Sequence, residues 1–304
     1  MRSPRLRLLA AVFSLVAPAG LAGCGGEPAP PPDQPAQFPV TIDVDGTPVE
    51  IPARPERIVV LSPTATEMLF AIGAGDQVIA VDSDSDYPPE APTTDLNFFE
   101  PNLEAVAGYQ PDLVVAAIDP TGDVLAGLAR LEIPTLLLTA ASTLDDTYRQ
   151  LAQLGAATGH VAEAAAVVSR MRTEIAAIVD GLPERPEPLT YYHELDTEYY
   201  TVTSETFIGQ LYGLLGMRSI ADDAGSDTMF PQLSAEFILS ADPDVILLAT
   251  VQCCGVDAEA VASRPGWDRL TAVREGRIIE LDDDLASRWG PRVVDFLRAI
   301  AASI

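Results

Sequence analysis

Ile58-Val59-Val60-Leu61, running into Ser62-Pro63-Thr64-Ala65-Thr66-Glu67, is the stretch that decides the fold. Four consecutive apolar residues leave neither face of a strand for water, and a helical stretch over 64–72 follows at once. Short runs that are apolar on both faces suit buried parallel strands with helices covering them. The same grammar recurs along the chain. Residues 78–81 precede a polar loop and a short helix at 103–109, residues 113–117 precede a helix at 122–131, and a strand at 135–138 comes next. Further on, a strand at 189–195 precedes a helix at 206–215, a helix at 234–241 precedes a strand at 244–249, and a strand at 277–281 precedes a last helix at 293–300. The expectation is an α/β protein of two lobes, each a mainly parallel sheet flanked by helices.

Between the two groups, residues 144–157 and 161–179 read as helices separated by Thr158-Gly159, and Ser142 with Asp145 reads as an N-terminal cap. Val161, Ala164, Ala165, Val168, Met171, Ile175 and Ile178 form one apolar stripe at helical spacing. A helix of about 19 residues is a rod of roughly 28 Å, and Gly181 with Pro183 stops it. Its length and central position suit a single long helix bridging the lobes better than an ordinary crossover. Ahead of the first lobe, residues 40–44, Asp45-Gly46 and residues 49–51 predict a β-hairpin.

The amino terminus has another character. Arg2, Arg5 and Arg7 lead into an apolar run over 8–16, then into Leu21-Ala22-Gly23-Cys24. This is the pattern of a secretory leader with a small-residue cleavage site. A membrane span needs about 18 apolar residues, and this run is shorter and is broken by Ser14 and Pro18. The cysteine at the cut resembles a bacterial lipobox, which implies a lipid on Cys24 and an extracytoplasmic protein anchored to the cell membrane. Residues 25–37 are Pro-rich and read as an extended tether. The expected organisation is a leader at 1–23, a lipid-attached tether at 24–37, an N-terminal lobe with its hairpin at 38–142, a helical segment at 143–187 and a C-terminal lobe at 188–304.

Removing the leader leaves 15 cationic side chains, all Arg, against 45 acidic ones, a formal charge of about −30. That balance argues against nucleic acid, whose phosphates are bound chiefly by Lys and Arg. A saline habitat and a genomic bias toward Ala, Arg and Asp are two further sources of such a surface. An enzyme is not expected: there is no Gly-x-Ser-x-Gly elbow, no Gly-x-x-x-x-Gly-Lys phosphate loop and no paired-cysteine zinc pattern. His160 reads as a solvated first-turn residue and His193 as a hydrogen-bonded strand residue. A bare metal-ion site on His193, Glu194 and Asp284 is disfavoured because the two histidines are far apart in sequence.

Polar and aromatic residues instead gather just after the strands, where open α/β sheets bind ligands. Phe98, Phe99, Tyr199, Tyr200, Phe230 and Trp289 would line a cleft for a large, flat, partly apolar ligand, with Asp284 and Arg288 fixing its orientation. Each aromatic has a competing role as a core residue capping a strand end. Cys253-Cys254 would close a vicinal disulfide in an oxidising compartment and present a flat surface to the cleft; two free thiols and a thiolate pair on a soft metal are the rivals.

Arg57 through Glu67, Ser85-Asp86-Tyr87-Pro88-Pro89, Asn102-Leu103-Glu104 and Pro111-Asp112-Leu113-Val114 together resemble the cobalamin and ferric-siderophore substrate-binding proteins of ATP-driven importers. Phe230 through Glu236 and Ser287-Arg288-Trp289-Gly290-Pro291-Arg292 extend the resemblance to nearly the whole mature chain. It implies two α/β lobes joined by one rigid helix, little closing motion, no catalysis, no cofactor beyond the lipid and no resident metal. It also implies a monomer whose partners are a membrane permease and a small-molecule metal chelate. Glu104 and Glu236 match the surface glutamates, one per lobe, that pair with permease arginines; as solvated first-turn carboxylates they would also suit their helix dipoles. Cobalamin is the cargo of the most similar branch, whose cleft residues fall near Phe98, Phe230, Asp284 and Arg288, with a ferric siderophore or haem as the alternative.

Overall fold

The computed structural model describes residues 37–304; the leader, Cys24 and nearly all of the tether lie outside the described residues. The chain opens with the hairpin, β1 (Val40–Val44) and β2 (Thr47–Ile51), paired antiparallel with Val40 opposite Ile51. The first lobe follows as β3 (Ile58–Leu61), α1 (Pro63–Ala71), β4 (Val78–Asp82), β5 (Thr93–Leu96), α2 (Leu103–Gly108), β6 (Leu113–Ala116), α3 (Asp123–Arg130) and β7 (Thr135–Leu137). Its five strands are all parallel, in the order β5-β4-β3-β6-β7. Every residue of β3 and β6 is buried, as the unbroken apolar runs require.

Two helices, α4 (Leu144–Thr158) and α5 (Val161–Asp180), lead out of this lobe. The second lobe is β8 (Leu189–Glu194), α6 (Phe207–Leu214), β9 (Met217–Ser219), α7 (Ala235–Ala241), β10 (Val245–Leu248), α8 (Val251–Cys254), α9 (Ala258–Ala262), α10 (Thr271–Arg274), β11 (Ile278–Glu280), α11 (Asp283–Ser287) and α12 (Val293–Ala301). Its four strands are parallel too, in the order β11-β10-β8-β9. Two α/β lobes joined through the long α5 helix are thus present. In the second sheet, β8 is followed by β9 on one side and by β10 on the other, so the strand order reverses between β8 and β10.

One apolar core runs through both lobes. It links Ile51 of the hairpin, Met68 of α1, Leu154 of α4 and Met171 of α5 with Tyr191 of β8, Tyr212 of α6 and Leu297 of α12. The outer faces of the two sheets have their own clusters, around Val59 and Leu128 in the first lobe and around Tyr192, Ile246 and Trp267 in the second.

The structure departs from the sequence reading at several points. The cap of α4 sits one residue later than expected. Thr143 Oγ1 accepts from the Asp146 N–H at 3.2 Å, and Asp146 Oδ2 accepts from the Thr143 N–H at 2.8 Å, a reciprocal box that Ser142 and Asp145 are out of register to make. On α5 the buried stripe is Ala164, Val167, Met171 and Ile175; Val161 and Ala165 face out and Val167 replaces them. His160 is half-buried at the N-cap of α5, with Nε2 3.0 Å from Arg54 Nη2 and 3.1 Å from Gln77 Oε1. Burial and the Arg54 charge hold its pKa below the ordinary histidine value. The reason is the corner itself: Gly159 has φ +83°, a left-handed conformation that turns α4 directly into α5. The two helices then pack so closely that a Cβ on Gly155 would come within 2.5 Å of Ala164 Cβ. β5 and β9 were not expected from the sequence, and neither were the four short helices from α8 to α11.

Candidate functional site

A cavity of about 580 Å³ opens where the strand order of the second sheet reverses. His193 and Leu195 at the end of β8 and Ala249 just past β10 form its floor, in the position where open α/β sheets bind ligands. Phe207, Ile208 and Leu211 of α6 supply one wall, and Asp283 with the side chains from Leu285 to Trp289 another, with Phe296 of α12 behind them. Met229 and Phe230, both about half exposed, stand at its edge. Ala140, Ala141 and Ser142, which follow β7, bring the first lobe to the same space. The lining is mostly aliphatic and aromatic.

Arg288 and Trp289 are held in place by partners within the protein. Arg288 Nη1 donates to Glu67 Oε1 at 3.0 Å. Its Nη2 donates to Asp84 O at 3.0 Å, Asp86 Oδ1 at 3.0 Å and Asp284 Oδ1 at 2.6 Å. Arg292 reaches the same glutamate, Nε to Oε2 at 3.0 Å and Nη2 to Oε1 at 2.5 Å, and lies 4.1 Å above the Tyr87 ring. Glu67 is buried, with its side chain 2% exposed, and the Arg288 side chain is 8% exposed. Burial alone would lower the Arg288 pKa; the bonds to Glu67 and Asp86 and the Asp284 charge outweigh it and hold the guanidinium above its ordinary value. Burial raises the Asp284 carboxyl above its usual range; Arg288 opposes this, and Asp86 and Asp282 reinforce it. Trp289 Nε1 donates to Gln150 Oε1 of α4 at 2.8 Å, and Thr147 Oγ1 donates to the Trp289 carbonyl at 3.0 Å. Segment 284–292 therefore joins a wall of the cavity, residues 285–289, to the seam by which the second lobe grips α1 and α4.

His193 is buried, and its Nδ1 lies 2.8 Å from Tyr212 Oη. Burial pushes its pKa down to about 3, so the imidazole is neutral. Glu194 beside it is fully buried and bound by both terminal nitrogens of Arg264, at 2.5 and 2.7 Å. With Glu194 held by Arg264 and Asp284 by Arg288, these side chains do not converge with His193. Among the described residues no group of three or more His, Cys, Asp or Glu side chains is placed to hold a metal ion.

The structure thus brings Phe230, Arg288 and Trp289 together on the cavity wall. It places the other expected residues apart from the lining. Phe98 and Phe99 pack on each other past β5, with ring centroids 3.9 Å apart, and Phe99 is 60% exposed. Tyr199 turns into the second lobe, stacked on Trp267 at 6.1 Å and beneath the Arg264 guanidinium. Tyr200 bridges to Gln232. Asp284 points at Arg288. Cys254 is exposed and disulfide-bonded, and the Cys253 side chain lies outside those described. Glu104 and Glu236 are exposed in the first turns of α2 and α7, whose caps are Asn102 and Ser234. Sequence reasoning passed over the α6 residues of the wall, although Phe207, Ile208 and Leu211 share one helical face. It also passed over the part played by Glu67.

The periplasmic binding protein family matches residues 58–285 of the chain. An uncharacterized ABC transporter substrate-binding lipoprotein of Bacillus subtilis is 31% identical over 304 residues, covering 95% of this chain and 94% of its own. A cobalamin-binding protein of Halobacterium salinarum is 32% identical over 315 residues, covering 99% of this chain and 84% of its own. Among solved structures, the periplasmic heme-binding protein RhuT from Roseiflexus sp. RS-1, in apo form, superposes with a TM-score of 0.70 at 27% identity, over 82% of this chain and 99% of its own.

Proposed function

The chain belongs to the periplasmic binding protein family, the substrate-binding components of ABC importers, and from that premise we propose that it captures a cobalamin-type corrinoid and performs no chemistry on it. The observation that carries the proposal is the cavity between β8 and β10: apolar, lined by Phe207, Phe230, Trp289 and Phe296, and of a size usual for small-molecule sites, about 300–1,000 Å³. Aromatic faces with a few fixed polar groups suit a flat, largely apolar chelate. The cobalamin-binding relative, similar over nearly the whole chain, supports that cargo. The haem-binding structural neighbour supports a second reading of the same class, a haem or ferric-siderophore receptor.

The proposal includes a lipid on Cys24 as the membrane anchor and Glu104 and Glu236 as contacts for permease arginines, the exposure of both carboxylates being what docking needs. It takes the Cys254 disulfide as the vicinal pair with Cys253, stiffening the segment after β10. Phe98, Phe99 and Tyr200 enter it as outer contacts for whatever part of the cargo the cavity does not enclose, with Tyr199 supporting them from its stack on Trp267. Incubating the purified full-length chain with cobalamin, haemin or a ferric trihydroxamate, then desalting, tests the cargo. Retained corrinoid colour is the expected result; colour retained from haemin or the hydroxamate alone would overturn the corrinoid reading. For the anchor, Cys24→Ser should lose incorporation of a fatty-acid probe, and continued labelling would remove that part of the proposal.

A further inference from the structure

Arg288 is the one arginine on the cavity wall among the described residues, and it arrives there already neutralised. Its inner nitrogen, Nη1, is held by buried Glu67. Its outer nitrogen, Nη2, is shared by Asp86 and Asp284, which are 63% and 37% exposed, and by the Asp84 carbonyl. Arg288 and Arg292 together face Glu67, Asp86 and Asp284, so the cluster carries one net negative charge. Glu205 adds a further, exposed carboxylate to the lining, and His193 is neutral. An anionic ligand entering this space finds no uncommitted cation and several like charges, which repel it at close range in a partly desolvated site.

We propose that Asp86 and Asp284 mask Arg288 and thereby set the charge specificity of the cavity: it accepts uncharged or cationic chelates and rejects anionic ones. The inference rests on the reading of the cavity as the cargo site. Glu67 anchors the guanidinium from within, and the more exposed Asp86 and Asp284, which hold Arg288 from just outside the lining, are the specificity-determining residues. Because the mask is built from side chains of moderate to high exposure, it can be lifted without removing the anchor. In the double variant Asp86→Asn/Asp284→Asn the cluster changes from one net negative to one net positive charge, while the amide oxygens and the Asp84 carbonyl can still accept from Nη2, so the change is one of charge.

The test is equilibrium binding of four probes to the full-length chain: cyanocobalamin, a neutral ferric trihydroxamate, haemin with its two propionates, and a trianionic ferric tris-catecholate. Wild type should bind at least one neutral probe and discriminate against both anionic ones. In the double variant the ratio of anionic to neutral affinity should rise about tenfold or more, the worth of one hydrogen bond to a charged partner. The gain should shrink as salt rises from 0.05 to about 0.5 M. Asp284→Asn alone gives a smaller rise of the same sign, and serves where the double variant folds poorly. A wild type that binds haemin or the catecholate as tightly as the neutral probes overturns the mask and leaves the cavity as a cargo site. So does an unchanged ratio in both variants. A wild type that takes the neutral hydroxamate and no corrinoid, with the ratio shifting as stated, supports the mask and overturns the corrinoid reading. A wild type that binds none of the four overturns both.

Discussion

Glu67→Gln tests whether the seam between the lobes stabilises the fold. Glu67 accepts three charge-assisted bonds, from Arg288 Nη1, Arg292 Nε and Arg292 Nη2, and its side chain is 2% exposed. The substitution keeps shape and volume, but it turns a carboxylate into an amide and aims an N–H₂ group at a guanidinium. Removing one partner from a buried charge pair costs about 3–5 kcal/mol. Two features place this case at the lower end. Arg288 keeps Asp86, Asp284 and the Asp84 carbonyl, and the new amide oxygen can retain one bond. Arg292 fares worse, because beyond Glu67 it has the face of Tyr87, with its guanidinium 4.1 Å from the ring centroid. A loss of about 3 kcal/mol lowers Tm by about 5–6 °C for a chain of this size. The assay is thermal unfolding of the full-length chain followed by far-ultraviolet circular dichroism. Glu236→Gln, an exposed carboxylate, should stay within about 0.5 kcal/mol of wild type. A double-mutant cycle with Arg292→Gln should return a coupling of at least about 1 kcal/mol. A Glu67→Gln protein melting within a degree of wild type would show that desolvation cancels the attraction, and the seam would lose its claim to hold the lobes.

Trp289→Ala should weaken cargo capture about 30-fold, as truncation of a buried aromatic contact does, whereas Trp289→Phe keeps a ring and loses the 2.8 Å bond to Gln150, a smaller defect; equal affinities by titration calorimetry would take Trp289 off the site. His193 has a folded pKa of about 3, depressed by burial, against 6.5 for the free side chain, so its stabilising contribution is whole above pH 6.5 and declines as pH falls toward 3, because the unfolded chain binds the extra proton. The slope from this residue is about 1.4 kcal/mol per pH unit, and His193→Gln should flatten urea midpoints between pH 6 and 4 by that amount; an unchanged slope would mean that the imidazole titrates in the fold. Changing Glu104 and Glu236 together to Arg should abolish uptake in cells, by opposing permease arginines, while binding to the purified chain stays measurable; retained uptake would move the docking surface elsewhere.

What the sequence made legible, and what it hid, follow the range of the forces involved. β3, β6 and β10 were readable because each is a run of apolar residues with both faces buried, a property written in adjacent letters. β5, Thr93-Thr94-Asp95-Leu96, and β9, Met217-Arg218-Ser219, are edge strands. Their neighbours impose the ladder, and their own residues carry no strand pattern. The helices from α8 to α11 have four or five residues each, too few for a helical period to show. At the site, Phe230, Arg288 and Trp289 could be named because ligand contacts cluster after strands. Arg288 reads as a ligand contact in the sequence because one of its partners, Glu67, lies 221 positions away, although the other, Asp284, is only one helical turn before it. Tyr199 looked like Tyr200 in the sequence, but its φ of +67° turns it under Arg264 and against Trp267, a contact that no local spacing encodes.

The seam also ties capture to the arrangement of the lobes. The same nine-residue stretch, Asp284 to Arg292, supplies Leu285 to Trp289 to a cavity wall, reaches α1 through Glu67 and reaches α4 through Gln150 and Thr147. A ligand that presses on Arg288 or Trp289 therefore presses on bonds between lobes, and any force that separates the lobes withdraws part of the wall. Coupling of this kind is reciprocal: if opening the seam lowers cargo affinity by some factor, bound cargo resists opening by the same factor. The proposed docking carboxylates fit this geometry, since Glu104 belongs to the first lobe and Glu236 to the second. Under the proposed docking, a permease holding both lobes would load the bonds that complete the cavity.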